Sequence, residues 1–463
     1  MTDYYFVGIG GVGMSALAGL LIDRGFNVAG SDLSDNILIR GLKRKGAEIA
    51  EGHSEGRVGH DTGTVIVSSC IPCSNPEVRE AQRLGVPVIC RGELLRRLLD
   101  QKGHSVGITG THGKTTTTAL TAAMMRNASF DPDVIVGGET SELGSNYACG
   151  KGELIVAEID ESDGFFRNIG VKTGLITNVE REHLDNYGTM GELVAAYEAF
   201  IYNVFRSGGT LVINGEDEAS SRLKKPEGIE VFTFGFSEEH DLYCANALHT
   251  GRIEADLYVR GRYFARVQSH LMGRYNLMNI LAAASAAYVN GCPPEAISSA
   301  AAGFSGVKRR FQKLGVYGGV ELIEDYAHHP TEVKAVLSAA KQYSRGRVIA
   351  VFQPHRYSRL RDLIEDFSEC FGECDTLLLT DIYTAHEKYT DGIDSRVLYE
   401  RIREKGSPEV IYAEKSAIPG VVSSLVSGHD TVLVLGAGDI TGLCPSIGKS
   451  LRQRSRGEKK IVH

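Results

Sequence analysis

A chain of three α/β domains is predicted by three observations. Short apolar stretches of the kind that form buried parallel strands alternate with segments of helical period. Two glycine loops each lie between such a strand and such a helix. The 463 residues suffice for about three cores of ordinary size.

The first domain is expected over residues 1–103, with strands at 4–9, 27–31, 65–68 and 86–89 and helices at 14–23, after Asn75-Pro76 and at 93–99. Gly8, Gly10 and Gly13 fit GxGxxG, and Asp32 closes the second strand about twenty residues on. Glycines let backbone approach a diphosphate, and the helix's first N–H groups point at it. The domain is therefore Rossmann-like, and this loop alone suits an NAD-dependent dehydrogenase and a UDP-sugar binder equally.

The second domain is expected over 104–307, with a mixed or parallel sheet. A strand at 104–109 leads into Gly110-Thr111-His112-Gly113-Lys114-Thr115-Thr116, and a helix runs on from Lys114. This is a P-loop shorter than GxxxxGK, which would need glycine at Ile108. Its backbone cradles phosphates, Lys114 reaches the terminal ones and Thr115 coordinates Mg²⁺. Hydride transfer has no use for such a loop, so ATP chemistry is expected here and a second phosphorylated ligand in the first domain.

Further strands at 154–157 and 173–177 end in carboxylate-rich loops, the first holding Glu158, Asp160, Glu161 and Asp163, the second His183 and Asp185. A carboxylate and an imidazole from adjacent strand ends can hold Mg²⁺ beside the P-loop Thr, and position singles out Glu158 and His183. A β insert at 231–271 carries a hairpin, 253–259 and 263–267, around Gly261. Helices after Asn276 and from Pro293-Pro294 complete the domain.

The third domain, 308–463, is Rossmann-like again, with strands at 319–323, 347–352, 376–380 and 431–435 and helices at 331–341 and 359–371. Its loops 324–330 and 352–359 place Tyr, His and Arg at strand C-terminal ends, where Arg356 and Arg359, three apart, can grip a carboxylate. The basic tail 451–460 reads as a solvated end.

Composition narrows the function classes. A net charge of −8 lacks the basic excess that nucleic acid or an anionic membrane selects. No basic leader opens the chain and no run of about 18 apolar residues follows, so no membrane insertion and a cytoplasmic location are expected. Nine scattered cysteines fit reduced thiols, and Cys70 and Cys73, without a second pair, read as a loop coincidence. The 54 glycines exceed the roughly 32 of average usage, with only 12 prolines, which points to tight turns in several places. Gly41, Gly46 and Gly56 read as ordinary turns.

In this order, the 110–116 loop, Asp160-Glu161-Ser162-Asp163, His183-Leu184-Asp185, Arg309-Arg310-Phe311, Tyr326-Ala327-His328-His329-Pro330 and Phe352-Gln353-Pro354-His355-Arg356-Tyr357-Ser358 resemble the Mur ligases of peptidoglycan synthesis. The resemblance spans about residues 4–438. The first glycine loop with Met14-Ser15, and Asp381-Ile382-Tyr383, resemble the branch that adds L-alanine to UDP-N-acetylmuramate. It implies a UDP-sugar domain, a P-loop ATPase domain and a C-terminal Rossmann-like domain. It also implies a reaction in which the lactyl carboxylate takes the γ-phosphoryl group of ATP and the amine of L-alanine attacks the acyl phosphate.

By resemblance, Lys114, Glu158 and His183 are catalytic, and Thr115, Glu158 and His183 hold Mg²⁺. Gly110, Thr111, His112, Gly113, Lys114, Thr115 and Thr116 surround ATP, joined by Asn276 at the adenine, Asp325 at the ribose and Arg310 at a phosphate, the last completing the site when the third domain closes. Gly10, Gly11, Val12, Gly13, Asp32, Ser68 and Ser69 contact UDP, while Tyr326, His328, Arg356 and Arg359 surround L-alanine. ATP and Mg²⁺ are the implied cofactors; the partners are UDP-N-acetylmuramate and L-alanine, with a homodimer left open.

Two departures stand out. Tyr275 replaces a frequent His, and Ala195-Ala196-Tyr197 lacks the lysine carbamate of ligases adding later residues, which favours the alanine-adding branch. A ligase recycling a preformed tripeptide would be expected to differ at 160–163 and 352–358. A cyanophycin or folate polyglutamate ligase would lack the first glycine loop, and a P-loop switch protein would have no part for the Arg and His cluster of the third domain.

Overall fold

Three sheets order the strands. The computed structural model describes residues 1–249, 251–385, 387–389 and 392–461, without the side chains of Asp185 and of 455–461, so most of the basic tail lies outside the described side chains. The first sheet holds β1 (Thr2–Val7), β2 (Val28–Asp32), β3 (Glu48–Glu51), β4 (Thr62–Val67) and β5 (Val88–Cys90) in the order β3-β2-β1-β4-β5. All its pairs are parallel. Strand order reverses at β1, so the glycine loop that follows it opens at the topological switch point, where open α/β sheets bind ligands. The first strand ends at Val7 rather than at residue 9, because Gly8 already turns.

The second sheet holds β6 (His104–Thr109), β7 (Asp133–Thr140), β8 (Ser145–Ala148), β9 (Leu154–Glu158), β10 (Thr173–Ile176), β11 (Thr210–Asn214), β12 (Glu230–Phe234), β13 (Leu242–Leu248), β14 (Ile253–Val259) and β15 (Arg262–Ser269). Their order is β15-β14-β13-β12-β11-β10-β6-β9-β7-β8. From β13 through β7 the pairs are parallel, and β8 runs antiparallel on the edge. The hairpin β14–β15 turns through Arg260 at φ 48° and Gly261 at φ 77°, the paired positive φ of a two-residue turn.

The third sheet holds β16 (Gln312–Tyr317), β17 (Val320–Asp325), β18 (Val348–Phe352), β19 (Thr376–Leu379), β20 (Glu409–Tyr412) and β21 (Thr431–Leu435), ordered β16-β17-β21-β18-β19-β20. Only the edge pair β16–β17 is antiparallel among its registered pairs.

Contacts divide the chain into two units, residues 1–247, 255–268 and 278–305, and residues 248–254, 269–277 and 306–463. Within the first unit a single buried core runs from Phe6, Leu17 and Leu95 to Ile155, Phe166 and Phe200, so the first sheet's helices pack on elements of the second sheet. Gly19 in the helix Val12–Asp23 lies so close to Tyr147 that a Cβ there would sit 2.2 Å from the ring. Arg24 Nη2 and Lys102 Nζ reach Asp133 Oδ2 at 2.5 and 3.0 Å. Within the second unit, Val333, Leu337, Phe367 and Phe371 belong to one apolar core and Ile418, Val422, Ile447 and Leu451 to another.

Two sequence readings are corrected. The helix expected at 359–371 is two, Tyr357–Asp362 and Ile364–Glu369, parted at Leu363, whose φ of −125° leaves the helical region. Gly41 is not a turn; it lies inside the helix Ile37–Arg44, N-capped by Asn36.

Candidate active site

The P-loop is held by the strand beside it. β6 ends at Thr109, and Gly110 takes φ 129°, with a Cβ there falling 2.1 Å from Thr177 Oγ1. Only glycine fits this turn. Thr177 Oγ1 and Asn178 Nδ2 donate to the His112 carbonyl at 2.7 and 3.0 Å, and Asn178 Oδ1 accepts from His112 N at 2.8 Å. Asn178 was not foreseen; a polar residue at a strand end was its only signal. Thr116 is buried in the first turn of the helix Lys114–Asn127, which starts from Gly113 without a side-chain cap. The exposed N–H groups of such an N-terminus suit an anion.

Lys114 and Thr115 meet the acidic loop after β9. Lys114 Nζ donates to the carbonyls of Gly110 and Thr111 at 2.5 and 2.9 Å and to Glu161 Oε1 at 2.9 Å. Burial works against the Lys114 ammonium, but Glu161, Asp160 and Glu158 outweigh it and hold its pKa up, so the charge stays. Burial pushes the Glu161 carboxyl up to about 7 against the pull of Lys114. Asp160 is held below the usual range: burial opposes this, and Arg91 and Lys114 prevail. Sequence reasoning had singled out Glu158 from this cluster and passed over Glu161.

Thr115 Oγ1 donates to Glu158 Oε1 at 3.1 Å, and Gly137 N donates to Glu158 Oε2 at 2.6 Å. His183, at φ 57°, places Nε2 3.7 Å from Glu161 Oε1. The structure pairs the Thr115 hydroxyl with the Glu158 carboxylate and sets the His183 imidazole by Glu161, donor types that suit a hard divalent cation such as Mg²⁺. Asp185's side chain lies outside the described residues.

The first glycine loop is braced from β2. Gly10 N donates to Asp32 Oδ2 at 2.8 Å, and Asn36 Nδ2 donates to the Gly10 carbonyl at 3.1 Å. Asp32 thus spends one oxygen on the loop itself, and Asn36 is a second brace that no motif announced. Gly11 and Val12 are exposed and Gly13 partly so. Ser68 Cβ lies 3.2 Å from where a Gly8 Cβ would be, which puts it beside the loop, and Ser69 is exposed after it. Arg91 packs on Gly13 and pairs with Asp160 and Asp163 at 3.1 and 2.9 Å.

The second unit gathers rings and cations at the ends of β17 and β18. Asp325, closing β17, accepts from Phe311 N and Ala327 N, both at 2.6 Å. Burial still pushes its carboxyl up to about 6, with Arg310 and those N–H groups pulling the other way. Asn276 donates to the Met272 carbonyl at 2.8 Å, and burial raises the phenol of neighbouring Tyr275. Arg309 and Arg310 lie 4.8 and 5.0 Å from the Tyr326 ring centre.

His328 Nδ1 lies 2.9 Å from the Tyr326 carbonyl, and its ring faces His355 at 5.7 Å, which stacks on Tyr383 at 5.5 Å. Arg359 Nη1 lies 2.9 Å from His355 Nδ1. Arg356 does not share a helical face with Arg359: at φ 69° it precedes the helix, and its N–H donates to the Tyr383 carbonyl at 2.9 Å. His355 thus joins the cluster of Tyr326, His328 and Arg359, a place that the sequence alone did not reveal.

Three family models cover most of the chain: "Mur ligase family, catalytic domain" over residues 3–102, "Mur ligase middle domain" over 108–287 and "Mur ligase, glutamate ligase domain" over 309–438. A UDP-N-acetylmuramate–L-alanine ligase of Allorhizobium ampelinum is 39% identical over 459 residues, 97% of each chain. The chain belongs to the Mur ligase family. A second relative of this Mur ligase, the UDP-N-acetylmuramate–L-alanine ligase of Sinorhizobium fredii, is also 39% identical over 97% of each chain. The crystal structure of the UDP-N-acetylmuramate-alanine ligase from Thermotoga maritima superposes on this Mur ligase with a TM-score of 0.80 at 27% identity, all of both chains being covered. A murein peptide ligase from Psychrobacter arcticus, 18% identical with a TM-score of 0.70, shares the fold.

Proposed function

We propose that this Mur ligase joins L-alanine to UDP-N-acetylmuramate, with ATP converted to ADP and phosphate. The carrying observation is the P-loop whose Lys114 is fixed 2.9 Å from Glu161 and whose Thr115 lies 3.1 Å from Glu158, a charge arrangement made for phosphoryl transfer. The names of the relatives supply the substrates. The functional division follows residues 1–103, 104–307 and 308–463.

In this reading a lactyl carboxylate oxygen attacks the γ-phosphorus and the bond to ADP breaks. The amine of L-alanine then attacks the acyl carbon of the acyl phosphate, loses a proton, and inorganic phosphate leaves as the amide forms. Lys114 neutralises charge on the moving phosphoryl group. Thr115, Glu158 and His183 would hold Mg²⁺, which when bound offsets phosphate charge.

Gly110 to Thr116 line the ATP phosphates, with Asn276, Asp325 and Arg310 serving the nucleotide. The loop from Gly10 to Gly13, at the N-terminus of the helix Val12–Asp23, takes the UDP diphosphate, with Asp32, Ser68 and Ser69 beside it. Tyr326, His328, Arg356 and Arg359 receive L-alanine, the arginines pairing its carboxylate. No helix among the described residues is long and apolar enough to cross a membrane.

The test is ADP release with ATP, Mg²⁺ and UDP-N-acetylmuramate, adding L-alanine, glycine, L-serine or the recycled tripeptide singly. Turnover with L-alanine is expected, and turnover with the tripeptide alone overturns the assignment.

A further inference from the structure

Arg91 is used by neither glycine loop as read so far, yet it touches the surroundings of both. It opens the helix Arg91–Asp100 directly after β5, and its side chain is only 14% exposed. On one side a Cβ added to Gly13 would lie 2.9 Å from Arg91 Nη1, so the guanidinium rests on the backbone at the start of the helix Val12–Asp23. On the other side Arg91 Nη2 donates to Asp160 Oδ2 at 3.1 Å and to Asp163 Oδ2 at 2.9 Å.

Both carboxylates are fixed by their own turns, since Asp160 Oδ1 accepts from Ser162 N and Asp163 Oδ1 from Phe165 N, each at 3.0 Å. Between them in the chain stands Glu161, whose Oε1 accepts from Lys114 Nζ. A short, partly buried path therefore leads from the third glycine of one loop, through Arg91 and the 160–163 turn, to the lysine of the other.

We propose that Arg91 is a positioning residue that couples the two loops, so that a diphosphate bound at the first favours a nucleotide at the second. This rests on the reading of the loops as UDP-sugar and ATP sites. Two polyanions bound to one unit repel each other. A guanidinium fixed between the loops offsets that repulsion, and its hold on Asp160 and Asp163 keeps Glu161 and Lys114 in register. A planar fork with Nη1 against the Gly13 backbone and Nη2 shared by both carboxylates is a task for arginine that lysine's point charge does not reproduce.

The measurement is calorimetric binding of a non-hydrolysable ATP analogue with Mg²⁺ to the full chain, with and without saturating UDP-N-acetylmuramate. The ratio of the two dissociation constants is the coupling, and linkage makes it identical for either order of addition. The wild type is expected to show a ratio of about 5 or more, the lower end of ordinary coupling. Arg91→Ala is expected to bring it to within about twofold of unity, and Arg91→Lys to leave it below the wild-type value.

Asp163→Asn removes one leg of the clamp from the opposite side and is expected to lower the same ratio; it decides the matter should Arg91→Ala fail to fold. A merely structural Arg91 would lower the melting temperature and leave the ratio unchanged, which overturns the proposal. A wild type that binds both ligands independently overturns the coupling alone, whereas one that binds no UDP-N-acetylmuramate overturns the functional reading and the coupling with it.

Discussion

Lys114 is the residue on which the proposed chemistry turns, and its surroundings say what its loss should do. Its ammonium is buried among carboxylates and P-loop carbonyls, so no solvent cation replaces it. Lys114→Ala is expected to lower kcat by at least about a hundredfold, the scale of one lost electrostatic stabiliser, as read by ADP release. Arg356→Ala, in contrast, is expected to raise the KM for L-alanine about tenfold or more, as a lost charge-assisted contact to the substrate carboxylate should. Initial rates across a range of L-alanine check it, and an unchanged KM refutes the assignment.

Asp325 offers a pH-dependent counterpart. Its folded value of about 6 lies above the ordinary 3.8, so the folded chain binds this proton more tightly. The resulting stability is fully present below about pH 4 and is lost as pH rises through about 6. Asp325→Asn lacks that titration and also turns an amide N–H₂ toward a backbone N–H. The variant is therefore expected to melt below the wild type, with the gap narrowing from pH 4 to pH 6.5 in thermal scans.

At the scale of elements, glycines separate into those that shape a site and those that do not. Gly110→Ala is expected to abolish nucleotide binding by calorimetry, because its φ and its closeness to Thr177 leave no room for a methyl group. Gly41→Ala, with no atom within 4 Å of the new Cβ in the helix Ile37–Arg44, is expected to stabilise by about 0.5–1 kcal/mol in denaturant titrations.

The same contrast explains what the sequence revealed. β6 and its loop were legible because six residues from His104 to Thr109 lead into a glycine loop with a lysine at a helix start. β3 was not, because this short edge strand, Glu48–Glu51, has no fully buried residue and so no apolar pattern. Glu161 was hidden for a different reason. Four carboxylates within six residues look alike in one dimension, and only folding decides that Glu161 is buried against Lys114 while Asp160 stays 37% exposed. Likewise, the spacing of three between Arg356 and Arg359 does not reveal that Arg356, at φ 69°, precedes the helix Tyr357–Asp362 that carries Arg359.

At the scale of the whole molecule, the first unit depends on a buried charge cluster as well as on its core. Asp133 is fully buried, with Arg24 and Lys102 as its cations. Removing one partner of such a cluster strands the others away from water, so Asp133→Ala is expected to cost about 3 kcal/mol or more, seen as a lower melting temperature. Arg24→Ala is expected to cost less, since Lys102 remains on Asp133.

The contact between Gly19 and Tyr147 bears on how such a ligase can be rebuilt. Because the helix beside the first glycine loop is seated in the same apolar interior as β8 and β9, residues 1–103 are no cassette to be exchanged between relatives. A chain begun at His104 would turn Tyr147 and Asp133 out to water, and a grafted first domain would have to bring a glycine for the tyrosine and cations for the carboxylate. Transplanting the first sheet therefore means transplanting the seam, and hybrids cut at residue 103 should recover solubility only when Gly19, Arg24 and Lys102 are carried across with their partners.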